Sequence, residues 1–100
     1  MDDQARFEID RGDRAKRILE DPLVVEALAA IKQGAVDAWV ATDGRDVEAR
    51  EYLHRFLKAV GRFEAVFASY IQTGELQRKY IEQEEERKSI MQRTLERIRG

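Results

Sequence analysis

One stretch of the chain, residues 46–73, constrains the fold more than any other. Its apolar residues recur at steps that alternate between four and three positions: Ala49, Leu53, Phe56, Val60, Phe63, Phe67 and Tyr70. An α-helix has about 3.6 residues per turn, so this spacing places the whole set, the main seam, on one side of a long helix. A strand would need alternation at every second residue. Because so long an apolar side has to be covered, we expect other helices to pack on it and the chain to self-associate.

Composition agrees with long helices in one domain. The chain has 100 residues, 43% of them apolar and 38% charged. Long helices account for both values, since each exposes a wide polar face. The net charge of −2 argues against strong non-specific binding of nucleic acid by the chain as a whole. The absence of cysteine excludes disulfides and metal sites built on thiolates.

Neither end of the chain has the pattern of a membrane segment. The first residues are acidic and polar, unlike a signal peptide. The longest apolar-rich run, residues 23–31, is interrupted by Glu26 and is far shorter than the roughly 20 residues that span a bilayer. We therefore expect a cytoplasmic protein that does not contact a membrane.

The N-terminal region is expected to hold a flexible arm and one short helix. Residues 1–12 are mostly polar, which favours an arm that ends at Gly12. Asp13 is well placed to cap a short leading helix over residues 14–20.

A second helix is predicted from Pro22 to about Ala41, because Asp21 can cap it and proline suits the first position of a helix. Its apolar residues repeat the four-three spacing: Val24, Leu28, Ile31, Ala35 and Ala38. Residues 42–46 then form a turn, in which Gly44 can adopt the left-handed conformation that closes a helix and Asp46 can cap the next one. A connection this short makes its two helices antiparallel neighbours. The sequence therefore predicts an all-α fold whose core, residues 13–74, is an antiparallel helical hairpin.

The C-terminal residues 75–100 are expected to form a further long helix. Gly74 is predicted to end or kink the helix before it. Residues 82–89 contain no apolar side chain, and an apolar face resumes beyond them with Ile90, Met91, Leu95 and Ile98. We expect this helix to project in part and to contact another subunit through that face.

The sequence offers little for catalysis or for metal binding. His54 is the only histidine, and one Glu-x-x-His spacing, from Glu51 to His54, does not make a di-iron site. The glycines are isolated, so no phosphate-binding loop is present. We therefore predict a protein that is not an enzyme, with no catalytic residue, no cofactor and no metal.

Basic residues cluster near both ends of the chain, where two interpretations stay open. They are solvated helix faces, or they contact DNA when they are repeated around an oligomer. The candidate DNA contacts are Arg14, Arg17, Arg93 and Arg97.

Several short segments carry a resemblance to a known group of proteins. They are Arg11-Gly12-Asp13-Arg14-Ala15, Ile18-Leu19-Glu20-Asp21-Pro22-Leu23, Glu26-Ala27, Trp39, Arg45-Asp46, Glu48-Ala49-Arg50-Glu51, Leu53 and Thr73-Gly74-Glu75-Leu76. Through them, residues 11–76 resemble small helical proteins encoded among the head and DNA-packaging genes of tailed phages, prophages and gene transfer agents. The hairpin followed by a further helix is also similar to the oligomerisation core of small terminase subunits, which form rings and present viral DNA to the packaging motor.

The resemblance implies a homo-oligomeric assembly protein in the host cytoplasm or the phage particle. Its implied role is that of a small-terminase-like subunit, with a large terminase or another phage head protein as partner and with weak binding to DNA. Two alternatives remain: a purely structural head or connector component, and a helical regulator that binds protein. The residues predicted to form the core and the subunit interfaces are Leu53, Phe56, Val60, Phe63, Phe67, Tyr70, Ile90, Met91 and Leu95.

Overall fold

The structure, a computed structural model that describes residues 2–100, is helical throughout. Its helices are α1 (Asp3–Glu20), α2 (Pro22–Ala41) and α3 (Val47–Arg99). Among the described residues there is no strand, so the predicted all-α class is confirmed. α1 and α2 follow one another along α3, and both run antiparallel to it. The long C-terminal helix and the hairpin arrangement are thus as predicted.

The molecule is a rod whose length is set by α3. Its principal extents are 82 × 25 × 21 Å. A helix of 53 residues rises about 80 Å at 1.5 Å per residue, which is nearly the whole long dimension. α1 and α2 together are shorter than α3, so the C-terminal part of α3 extends beyond them.

An aspartate caps the start of each helix. The carboxylate of Asp21 accepts a hydrogen bond from the Leu23 amide at 2.8 Å, and Asp46 accepts one from Ala49 at 3.1 Å. Both were predicted, as was Pro22 in the first turn of α2. Each carboxylate satisfies an amide that has no partner within its helix.

The predicted start of the first helix at Asp13 is wrong. α1 begins at Asp3, eleven residues before the predicted first residue, and Gly12 and Asp13 lie inside it. The cap is Asp2, whose side chain accepts a hydrogen bond from Ala5. Helix replaces the predicted arm because one side of α1 is made of small residues that lie buried against its neighbours: Ala5, Gly12 and Ala15. Met1, the first residue of the predicted arm, lies outside the described residues.

The predicted break at Gly74 is also wrong, because α3 continues through it. Gly12 and Gly74 face each other where α1 crosses α3. A Cβ atom on Gly12 would lie 2.8 Å from the Tyr70 carbonyl oxygen and 3.2 Å from the Gly74 Cα atom. A Cβ atom on Gly74 would lie 2.9 Å from the Glu8 carbonyl oxygen. Two backbones approach this closely only where neither residue has a side chain.

Polar and aromatic contacts surround this glycine crossing. The Arg11 guanidinium carbon lies 4.0 Å from the centroid of the Tyr70 ring. The buried Arg11 Nε has no hydrogen-bond partner, and the electron-rich face of the Tyr70 ring attracts the guanidinium charge. Arg78 donates to Asp13 at 2.7 Å, and Gln77 donates to Glu8 at 2.9 Å. The ion pair is half exposed and therefore contributes at most about 1 kcal/mol, which leaves close packing as the main attachment of α1.

The turn between α2 and α3 lies where it was predicted, but Gly44 does not close α2. Gly44 does not have a positive φ angle. α2 ends at Ala41, and the next residue, Thr42, has an extended backbone and a hydroxyl that donates to the Ala38 carbonyl at 2.6 Å. The Asp43 carboxylate then accepts from the Arg45 amide at 2.8 Å. Side-chain oxygens and a backbone hydrogen bond from Asp46 to Asp43 at 2.9 Å hold the turn, and the predicted left-handed glycine is wrong.

The rod has almost no buried core of its own. The buried apolar residues of the described chain are the small ones Ala5, Ala15 and Ala35. The accessible surface is 8351 Å², about 2,500 Å² more than a compact protein of 11.6 kDa exposes. The radius of gyration is 22.9 Å, against about 13 Å for a compact domain of this length.

The glycine crossing gives a stability prediction. Gly74→Ala should lower the free energy of unfolding by about 1–3 kcal/mol, because its methyl group must push two backbones apart. Gly61→Ala is the matched control: it lies inside the same helix, with nothing within 4 Å of the added atom, and should raise stability by up to about 1 kcal/mol. Urea unfolding followed by circular dichroism, at one protein concentration, measures both. Equal stability of the two variants would contradict the close approach.

Candidate interaction surface

The main seam is shared between the two shorter helices. Phe67 and Tyr70 lie near α1 and are half-buried. The Phe67 ring stands 4.9 Å from Phe63 and 6.2 Å from Tyr70, centroid to centroid. Leu53 and Val60, further toward α2, are also half-buried. The chain therefore covers this side of α3 only in part.

An open apolar groove lies between α2 and α3. It has a volume of about 460 Å³. Its lining consists of apolar side chains from both helices: Val24, Ala27, Leu28, Ile31, Phe56, Ala59, Val60 and Phe63. We call it the hairpin groove. One ion pair between the two helices, Lys32 with Glu64 at 2.9 Å, is exposed and adds little to the attachment of α2.

The groove stays open because the side chains of α2 that face α3 are too small to cover it. From Ala27 to Ala35, four residues of α2 are alanine. The largest side chain of α2, Trp39, is 58% exposed. Phe56 and Phe63 remain 38% and 49% exposed. A contiguous apolar surface of this kind on a protein usually marks an interaction site.

The predicted contact residues near the C-terminus form a separate surface. Ile90, Met91 and Leu95 are 49%, 56% and 50% exposed, and neither α1 nor α2 lies opposite them. They lie on the same helix as the main seam, but Met91 is about 36 Å along it from Phe67 at 1.5 Å per residue. The structure thus divides the predicted interface residues between two surfaces, and their role in oligomerisation remains a prediction.

The four candidate DNA contacts are not brought together within one chain. Arg14 and Arg17 lie on α1 in a shallow hollow that also holds Asp21, whose carboxylate offsets part of their charge. Arg93 and Arg97 lie on the exposed end of α3. Gly74, where α1 crosses, and Arg93 are separated by about 29 Å of helix. A continuous basic surface from these four residues would need more than one copy.

The rest of the described chain offers little for other chemistry. Within residues 2–100, no group of three or more His, Cys, Asp or Glu side chains is placed to hold a metal ion. His54 is exposed and lines a shallow hollow with Trp39 and Arg50. No helix in the described part combines the length and the apolar character needed to cross a membrane.

Sequence reasoning missed the residues that attach α1 to α3. Gly12 and Gly74 each have the sequence pattern of a local break, and no pattern in the sequence marks Arg11 for packing. One signal was present: Ala5, Gly12, Ala15 and Leu19 recur at steps of seven, three and four, a helical spacing of small residues followed by an apolar one. That pattern would have extended the first helix through Gly12.

Comparison with known proteins adds no further information on this surface. No protein-family model, curated protein or solved structure matches the chain.

The hairpin groove can be tested by adding a charge to it. Phe63→Glu should weaken self-association at least tenfold, because a carboxylate placed in an apolar contact loses its hydration. Gln72→Glu, which adds the same charge at another exposed position of α3, should leave association unchanged. Sedimentation velocity over a concentration series measures the effect, with circular dichroism to show that both variants stay helical. Unchanged association of Phe63→Glu would remove the groove from the interface.

Proposed function

We propose that the protein is a non-enzymatic assembly protein that works as a homo-oligomer, and more specifically a small-terminase-like subunit that assists DNA packaging in a phage-type particle. The observation that carries the first part is the apolar surface left uncovered on α3. The second part rests on the resemblance of residues 11–76 to proteins of phage head and packaging gene clusters.

The uncovered area is large enough to form interfaces between subunits. A standard protein–protein interface buries about 800 Å² on each partner. The chain exposes about 2,500 Å² of polar and apolar surface together beyond a compact protein of its mass, which leaves room for more than one such interface. The hairpin groove and the C-terminal apolar face are separate, which lets each copy contact more than one neighbour.

The charge distribution suits DNA contact by an oligomer better than by one chain. A single copy has a net charge of −2 and separates Arg14 and Arg17 from Arg93 and Arg97. Around an oligomer each pair is repeated once per subunit, and repeated arginines raise the local positive potential toward phosphates. The protein partner would be a large terminase or another phage head protein, with no membrane involved.

A purely structural head or connector component is the second candidate. The observation that favours it is the carboxylate of Asp21 in the same hollow as Arg14 and Arg17. A component of this kind would use the same apolar surfaces, would bind protein only, and would have no need of a basic face.

Solution mass tests the assembly part of the proposal. Light scattering after gel filtration should give a multiple of 11.6 kDa at micromolar concentration, because an isolated chain would leave its apolar seams in water. A monomer at the highest soluble concentration would contradict it.

Retention on DNA at two salt concentrations tests the packaging part. The oligomer should bind duplex DNA at 50 mM salt and lose most of that binding at about 200 mM, because phosphate contacts release counterions. Arg93→Ala with Arg97→Ala should weaken binding and flatten the salt dependence. Lys58→Ala with Arg62→Ala, another exposed i,i+4 pair on α3, is the control. An oligomer that shows no binding at low salt would contradict DNA packaging and favour the structural component.

A further inference from the structure

The apolar stripe of α3 changes side near residue 76. From Ala49 to Tyr70 it faces α2 and α1. Further along, five apolar residues share another face, with Ile90 at its edge: Leu76, Tyr80, Met91, Leu95 and Ile98. At 100° per residue, the centre of that face lies about 120° around the helix from the main seam. The second face therefore points away from the two helices that pack on the first.

The second face is exposed along its whole length. Leu76 and Tyr80 are 50% and 56% exposed, although they lie beside the part of α3 that α1 covers. Contacts of α1 use other positions there, among them Gly74 and Arg78. Met91, Leu95 and Ile98 are 56%, 50% and 76% exposed. Another helix could lie along this face without displacing α1.

Two charged residues stand at the centre of this face. Glu84 and Arg87 continue its spacing, and their side chains pair within the helix at 3.7 Å. The full set, which we call the tail seam, is Leu76, Tyr80, Glu84, Arg87, Met91, Leu95 and Ile98. Its steps are four, four and three, an 11-residue repeat that keeps a seam on one side of an almost straight helix.

The positions from Leu76 to Leu95 are symmetric about the midpoint between Glu84 and Arg87. Glu84 and Arg87 lie equally far from that midpoint, as do Tyr80 and Met91. Leu76 and Leu95 complete the set. If a second copy of this helix lies antiparallel to the first and their midpoints coincide, each apolar residue of the set lies opposite another apolar residue. The Glu84 carboxylate of each copy then lies opposite the Arg87 guanidinium of the other.

We propose that the tail seam is a docking surface for the tail seam of a second copy of this chain, packed antiparallel, with Glu84 of each copy against Arg87 of the other. The inference rests on the proposed homo-oligomer and specifies one of its contacts. Tyr80 then packs on Met91 of the partner subunit, and Leu76 on Leu95 of the partner subunit.

Charge selects the antiparallel orientation. In a parallel pair in register, Glu84 would face Glu84 of the partner subunit and Arg87 would face Arg87 of the partner subunit, so that like charges repel. In the antiparallel pair the two Glu84 and two Arg87 side chains meet at the centre, and each carboxylate lies against a guanidinium of the other copy. A shift by one turn would place Glu84 against Met91 of the partner subunit and bring Arg87 beside Arg87 of the partner subunit. The opposite shift would place Arg87 against Tyr80 of the partner subunit and bring Glu84 beside Glu84 of the partner subunit. Polar residues in a helical seam fix register in this way.

Charge variants test the central layer. Glu84→Arg and Arg87→Glu should each weaken the contact at least tenfold, because each makes the four central charges alike. Glu84→Arg with Arg87→Glu in one chain should restore it, and so should an equimolar mixture of the two single variants. The mixture distinguishes two cases. If Glu84 and Arg87 formed an ion pair only within their own helix, a second chain with the opposite substitution could not restore the contact. Glu82→Arg, on the opposite side of α3, is the control. Absence of weakening in the single variants, or of rescue in the mixture, would overturn the charged layer.

Cysteine cross-linking tests the orientation, since the natural chain has no cysteine. Disulfides form only between Cβ atoms about 3.5–4.5 Å apart. A refolded mixture of Tyr80→Cys and Met91→Cys should therefore give a cross-linked dimer of one chain of each kind, and neither variant alone should cross-link well. Efficient cross-linking of Met91→Cys alone would show a parallel pair and overturn the proposal.

The outcomes separate this inference from the proposed function. An oligomer that gives no mixed cross-link would overturn the tail contact and leave the assembly proposal in place. A monomer would overturn both.

Discussion

The chain does not contain enough apolar surface elsewhere to cover its longest helix. α3 has 53 residues, and the two helices that lie along it are shorter in sum and rich in small side chains. Alanine and glycine let helices approach closely, but they leave large neighbours in contact with water. Phe63 therefore remains 49% exposed and Met91 56% exposed. The argument for self-assembly follows from that deficit, because hydrophobic surface left open by one chain favours contact with another.

α1 and α3 pack closely where they cross at Gly12 and Gly74. Two glycines inside helices lower intrinsic helix stability by about 1 kcal/mol each, and here the approach of the two backbones offsets that loss through packing. Arg11 on Tyr70 and Asp13 with Arg78 surround the crossing. This contact fixes α1 on one side of α3 and leaves the tail seam free on another.

Periodicity and capping made much of the fold predictable. The main seam required a long helix, and the Asp21 and Asp46 caps located the starts of α2 and α3. Gly12 and Gly74 misled for a physical reason: a helix-interior glycine is a break when its surroundings are open and a packing site when another backbone lies against it, and local sequence does not distinguish the two. Periodicity identified the apolar residues of α3 but not which of them stay exposed, because exposure depends on where α1 and α2 lie along that helix. Contacts between copies depend on a second chain, and they remain predictions.

The central claim is that other copies of the chain cover the apolar surface of α3 that one copy leaves exposed. Thermal unfolding over a hundredfold range of protein concentration tests it directly, since association stabilises the folded state by mass action. The account predicts an unfolding midpoint that rises steadily with the logarithm of concentration. A midpoint independent of concentration, together with a monomeric mass throughout the range, would contradict it.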